Sequence, residues 1–282
     1  MKLVRFGPKG AEKPGIVAAD GSIRDLSGKA ADFADAGLTI EAIERIRALD
    51  PMSLPKAPDG VRIGSCVART GNFLAVGLNY ADHAAESGLP VPKEPVLFNK
   101  APNCLAGPDD DVVLPPGSVK SDWEVELAIV IGRTAYRIDE KDAMAHIAGF
   151  CVCNDLSERE WQIEGTGQWM KGKCAPGYGP LGPWLVTPDE VGDVQALDMF
   201  LDLNGRRVQK GSTRTMVFGA AYCVAYISKF MQLDPGDVIT TGTPPGVGLG
   251  MKPPVYLKAG DTMHLGIEKL GEQRQKVVAS AV

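Results

Sequence analysis

From residue 70 onward the chain is a succession of short apolar runs set between Gly, Pro and polar turns: FLAVGLNY, EPVLFNK, WEVELAIVIG, GFCVCNDL, LDMFLDLNG, DVITTG and DTMHLGIEKLG. Runs of this length, rich in branched and aromatic residues, read as strands. Helical periodicity is rarer, chiefly in EKDAMAHIAG (140–149) and MVFGAAYCVAYISKFMQL (216–233). The regular strand–helix alternation of a doubly wound sheet is missing. The pattern predicts an α+β fold built on a large mixed β-sheet or barrel-like roll. Residues 1–69 read as a small N-terminal α/β domain and linker. They hold the strand MKLVRF, a second strand after a Gly-rich turn, the helix TIEAIERIRAL (39–49) and a Pro- and Gly-rich junction over 51–69. The larger domain spans 70–282.

Charge and composition narrow the partners. A net charge of -5 and a pI near 5.3 provide no basic stripe for phosphates, so no nucleic-acid partner is expected. Arg206, Arg207 and Lys210 fall in LNGRRVQKG, which reads as a solvated hairpin tip. The start, MKLVRFGPKG, carries charges where a signal peptide needs its apolar core, and no apolar run reaches membrane-spanning length. A cytoplasmic protein with no membrane association is the expectation. The six cysteines form no C-x-x-C pair and suit reduced thiols, with Cys151 and Cys153 as small core residues on a strand.

The chemistry concentrates in acids. In SDWEVELAIVIG, Trp123, Val125, Leu127 and Ile129 alternate with Glu124 and Glu126, so the two glutamates share one face of a strand. Adjacent carboxylates repel, more so when buried, and a bound cation relieves that repulsion. A solvent-facing edge strand would show the same pattern, but Asp155 adds a third acid at the end of GFCVCND. It precedes Ser157-Glu158-Arg159-Glu160, a capping-box pattern that starts a helix. Three carboxylates offer hard oxygens suited to Mg²⁺ or Mn²⁺, with room left for a chelating substrate. Asp122 lies on the same face as a weaker fourth candidate. His83 and Glu86 stand three residues apart, a spacing that permits a hydrogen-bonded pair on one helical turn or merely a surface pair. His146 and His264 read as structural. TTGTPPGVGLGMK lacks the third glycine of a dinucleotide fingerprint and has no G-K-[ST], so it reads as a pocket-lining turn.

Six stretches in order resemble the fumarylacetoacetate hydrolase family: GLNYADHAAE (77–86), EPVLFNK (94–100), EVELAIVIG (124–132), NDLSERE (154–160), KGKCAPGYGPLGPW (171–184) and TTGTPPGVG (240–248). The likeness covers about residues 70–282 and implies that family's C-terminal-domain fold. It implies that Glu124, Glu126 and Asp155 bind Mg²⁺ or Mn²⁺, and that His83 and Glu86 form a catalytic dyad. It further gives Lys173 a catalytic role and Gln162 and Thr243 contacts to substrate. Arg159 and Tyr80 are added from the residues themselves as candidate substrate contacts. Where relatives often read K-S-F, this chain has Lys173-Cys174-Ala175. The expected partner is a small 2-keto or diketo acid and the expected assembly a homodimer. The expected reaction is hydrolysis of a C–C bond in a 2,4-diketo acid of the acylpyruvate type, with L-2,4-diketo-3-deoxyrhamnonate favoured. Alternatives are a decarboxylase, isomerase or hydratase of the same family (oxaloacetate decarboxylase, 2-hydroxyhepta-2,4-diene-1,7-dioate isomerase) or a non-catalytic metal-binding module.

Overall fold

A computed structural model describes residues 1–82 and 91–281. Every apolar run singled out above contributes a strand. The larger sheet begins with β1 (Lys2–Phe6), β2 (Lys13–Val17) and β3 (Ile23–Asp25). Its other members are β4 (Phe73–Gly77), β5 (Val96–Lys100), β6 (Leu105–Ala106), β9 (Val125–Ile131), β10 (Ile147–Asn154), β12 (Gly179–Val186) and β15 (Val238–Thr240). Their order is β3-β2-β1-β12-β10-β9-β15-β4-β5, with β6 beside β12. A second sheet holds β7 (Val112–Val113), β13 (Asp198–Leu203), β14 (Arg206–Ser212), β16 (Thr262–Ile267) and β17 (Gly271–Val278). The short pair β8 (Ser121–Asp122) and β11 (Ser157–Glu158) completes the set.

The large sheet is mixed: β4 and β15 run parallel, whereas β9, β10 and β12 pair antiparallel. It stays open, with β3 and β5 at its ends, so the architecture is a mixed-sheet sandwich and not a closed barrel. Residues 1–69 continue the sheet, because β1 pairs with β12 through Lys2 opposite Val186 and Leu3 opposite Leu185.

Both faces of the large sheet are covered, and this explains why β9 and β10 are buried along their whole length. Val125, Leu127, Ile129, Phe150 and Val152 join the core shared with the second sheet. Ala128, Val130, Cys151 and Cys153 pack on the other side with Ile43 and Ile46. Those two come from the helix Ile40–Arg47, which Thr39 caps by accepting from the Ala42 amide. All six cysteines are free thiols.

Two expected helices are shorter than the sequence suggests. Residues 140–146 make a 3₁₀ segment, and Ile147 already begins β10. There Gly149 lies so close to β12 that a Cβ would sit 2.5 Å from the Val186 carbonyl oxygen. Within 216–233 only Ala220–Ser228 is α-helical, since the Asn79 side chain and carbonyl hold the Val217 and Phe218 amides outside the helix. Arg206 and Arg207 do follow a hairpin tip, with Asn204 and Gly205 both at positive φ as a tight β-turn requires.

Ile129 packs at the centre of the sandwich, so Ile129→Ala is expected to cost about 2–5 kcal/mol. Urea unfolding should show a lower midpoint at unchanged slope; an unchanged midpoint would contradict this packing.

Candidate metal centre

Strand register brings the acids together. Cys153 on β10 lies opposite Glu126 on β9 and Asn154 lies opposite Val125. The next residue, Asp155, therefore falls beside Glu124, and its amide donates to the Glu124 carbonyl at 2.9 Å. Residues two apart on a strand share a face, so Glu124, Glu126 and Asp155 converge. One carboxylate oxygen from each lies within 4.8 Å of the others, and all three residues are buried.

Cations surround this cluster unevenly. Lys173 Nζ donates at 2.6 Å to Glu124 Oε2 and at 2.6 Å to Asp155 Oδ2. Arg159 donates from Nη2 to Glu124 Oε1 at 2.7 Å, from Nε to Asp122 Oδ2 at 2.8 Å and from Nη1 to Gln162 Oε1 at 3.0 Å. Lys100, fully buried, ion-pairs with Asp155 Oδ1 and donates to the Lys173 carbonyl at 2.6 Å. Burial works against the Lys100 charge, but the Asp155 carboxylate, together with Cys104 and Cys153, outweighs it and holds the ammonium's pKa above its ordinary value.

Glu126 differs. Among the described residues it pairs with no cation and accepts only the Gly242 amide at 2.9 Å. Burial, and then the Asp155 and Glu124 carboxylates, push its pKa well above the ordinary carboxylate range. Among the described residues, four buried carboxylates (Asp122, Glu124, Glu126, Asp155) thus meet three buried cations (Lys100, Arg159, Lys173). Hard oxygen donors and close convergence fit a divalent cation of the Mg²⁺ or Mn²⁺ class.

Glu124 and Glu126 of the triad line a cavity of about 560 Å³ together with Arg159, Gln162, Lys173 and Thr243. Thr243 has little hydrogen-bonding capacity to spare: its hydroxyl donates to the Val125 carbonyl and accepts from Gln209 Nε2. Gln162 turns its oxygen to Arg159, which leaves its NH₂ for a ligand. Tyr80, expected to line the pocket, instead lies in the core with its hydroxyl on Met199 Sδ at 3.3 Å. His83 and Glu86 lie outside the described residues.

Other details depart from the sequence reading. Ser157 does not cap the helix Arg159–Ile163; its hydroxyl donates to the Asp155 carbonyl, and Glu158 accepts the Glu160 amide as cap. Asp122 is no fourth ligand, because its oxygens accept from Arg159, Trp123, Gly248 and Leu249. Lys100 was missed, although a lysine ending the apolar run EPVLFNK was a visible signal. His146 and His264 lie away from the triad, on the Arg133 carbonyl and Glu272 respectively.

A mixed-sheet sandwich with a buried acidic centre opening onto a cavity is the architecture of a small-molecule enzyme. The model for the fumarylacetoacetate (FAA) hydrolase C-terminal family matches residues 72–278, and the chain belongs to that family. A provisionally named hydrolase of Burkholderia ambifaria strain MC40-6 is 59% identical over 276 residues, covering 98% of each chain. Among solved structures, the fumarylacetoacetate hydrolase of psychrophilic Exiguobacterium antarcticum superimposes with a TM-score of 0.86 at 35% identity, over 99% of this chain and 100% of that one. The maleylpyruvate hydrolase of Sphingobium sp. SYK-6, solved with manganese(II) and pyruvate, gives 0.79 at 29% identity, again over 99% and 100%. No helix among the described residues is long and apolar enough to cross a membrane.

The raised Glu126 pKa carries a sign for stability. The folded, metal-free chain holds this proton more tightly than the unfolded chain does. Its contribution is therefore full below the unfolded value of about 4.3 and is lost as pH climbs toward the raised native one. Thermal melts of wild type and Glu126→Gln across that window should show the variant lacking this loss. The same variant should bind Mn²⁺ at least about tenfold more weakly by calorimetry. Parallel melting profiles, or unchanged Mn²⁺ affinity, would remove Glu126 from the centre.

Proposed function

We propose that this protein is a Mg²⁺- or Mn²⁺-dependent hydrolase that cleaves a C–C bond in a 2,4-diketo acid of the acylpyruvate type, releasing pyruvate and a carboxylic acid. The observation that carries this reading is the convergence of three buried carboxylates, Glu124, Glu126 and Asp155, within 4.8 Å of one another beside a cavity lined by the Lys173 side chain. The manganese(II) and pyruvate bound by the Sphingobium relative support it. A cation held by these three carboxylates would supply Lewis-acid polarisation of the 2-oxo acid.

The chain's own residues then divide the work. His83, oriented by Glu86, takes a proton from water as the water oxygen attacks the C4 carbonyl. The C3–C4 bond breaks, its electron pair forms the enolate of pyruvate, and a proton returned to C3 completes the product. Lys173 is the ammonium placed to hold negative charge on substrate oxygen. Arg159 fixes Glu124 and Asp122 at once, so it positions the centre and in addition borders the substrate. Gln162 supplies an amide donor, and Thr243 shapes the wall more than it binds. We assign this machinery to residues 70–282, with residues 1–69 as a supporting domain, in a cytoplasmic homodimer.

A pyruvate-release assay on acylpyruvates with Mg²⁺ or Mn²⁺ tests the proposal. Turnover should disappear on chelation and return with metal. His83→Ala should lower kcat by about 10²–10⁴-fold while Mn²⁺ binding persists. Absence of pyruvate from every acylpyruvate tried would overturn the hydrolase reading, and full activity in His83→Ala would remove the dyad from it.

A further inference from the structure

The cavity beside the acidic centre is lined by two kinds of side chain. One group is polar: Glu124, Glu126, Arg159, Gln162, Lys173 and Thr243. The Phe98 ring touches this group, with the Lys173 ammonium 5.1 Å from its centroid. The apolar lining is formed by Phe98 with Ile163, Trp169, Val247, Leu249 and Met251.

Two features show a wall shaped for contact. Trp169 is braced: it meets Phe98 edge-on at 5.4 Å between centroids, and a Cβ on Gly77 would lie 2.4 Å from its Cζ3. A side chain at position 77 would displace the indole. Ile163 and Leu249 line the same cavity yet stay 42% and 37% exposed, so apolar surface is left for a ligand to cover. Apart from the polar group around the acidic centre, the described lining side chains offer only the Trp169 indole N–H and the Lys252 ammonium. Both are donors. Among these described residues a hydroxyl-bearing tail could accept from the two donors, but its own O–H groups would meet no side-chain acceptor and would lose those bonds to water on entry.

We propose that the acyl group on the substrate's C4 carbonyl is apolar and of aromatic size and seats against the Phe98–Trp169 wall, so that a polyhydroxylated sugar-acid tail is a poor substrate. This rests on the diketo-acid reading above, and it displaces the rhamnonate derivative that the sequence favoured.

The test compares kcat/KM, by pyruvate release with Mn²⁺, for 2,4-dioxopentanoate, 2,4-dioxo-4-phenylbutanoate and 2,4-diketo-3-deoxyrhamnonate. The phenyl compound should exceed the sugar acid by at least about tenfold. Trp169→Ala and, separately, Leu249→Asn should each lower kcat/KM for the phenyl compound by a larger factor than for the methyl compound, eroding the phenyl preference. A sugar acid cleaved as well as or better than the phenyl compound, or a preference untouched in both variants, overturns the proposal. Should none of the three be cleaved, the hydrolase reading fails by itself. The tail assignment is then decided by calorimetry on Mn²⁺-loaded protein with 2-oxobutanoate and 4-phenyl-2-oxobutanoate, neither of which can undergo this cleavage. Binding of the phenyl acid at least about tenfold tighter supports it, and equal or weaker binding overturns it.

Discussion

The pairing of β9 with β10 is the constraint on which the molecule's chemistry depends. A slip of one residue in that register would turn Asp155 to the opposite face, away from Glu124 and Glu126. What holds the register is apolar: the alternate faces of both strands are locked into separate cores, one shared with the second sheet and one with the N-terminal segment. Hydrophobic burial therefore forces together three carboxylates that would otherwise separate.

That compression is energetically unfavourable unless opposite charge is supplied. Lys100, Lys173 and Arg159 provide part of it, each buried and each in ion-pair contact with the cluster. Buried ion pairs seldom add net stability, because desolvation roughly cancels their attraction. The network is better understood as positioning. Lys100 reaches Asp155 and the Lys173 carbonyl, thereby fixing the carboxylate and the backbone of the residue that carries the second ammonium.

Much of this is legible in the sequence itself. Alternation in SDWEVELAIVIG placed Glu124 and Glu126 on one face, and the apolar run ending at Asp155 supplied the third acid, because strand periodicity is a local property. Pairing between distant segments is not local. Nothing near Lys100 in sequence shows that its ammonium reaches Asp155, and nothing near Tyr80 shows that its hydroxyl turns to Met199. The helices 140–149 and 216–233 were read too long for the same reason: the demands of β10 on Gly149 and of Asn79 on Val217 come from elsewhere in the chain. The cap at Glu158 was missed because competing partners redirected the Ser157 hydroxyl.

The turn after β15 ties two properties of the site into one piece of backbone. Gly242, at φ +89°, donates its amide to Glu126, and six residues later the Gly248 and Leu249 amides hold Asp122. Val247 and Leu249 of the same loop face the cavity. A change in this loop's length would therefore disturb the amides that hold Glu126 and Asp122, whereas an exchange of side chains at 247 or 249 would reshape the cavity wall and leave those amides in place.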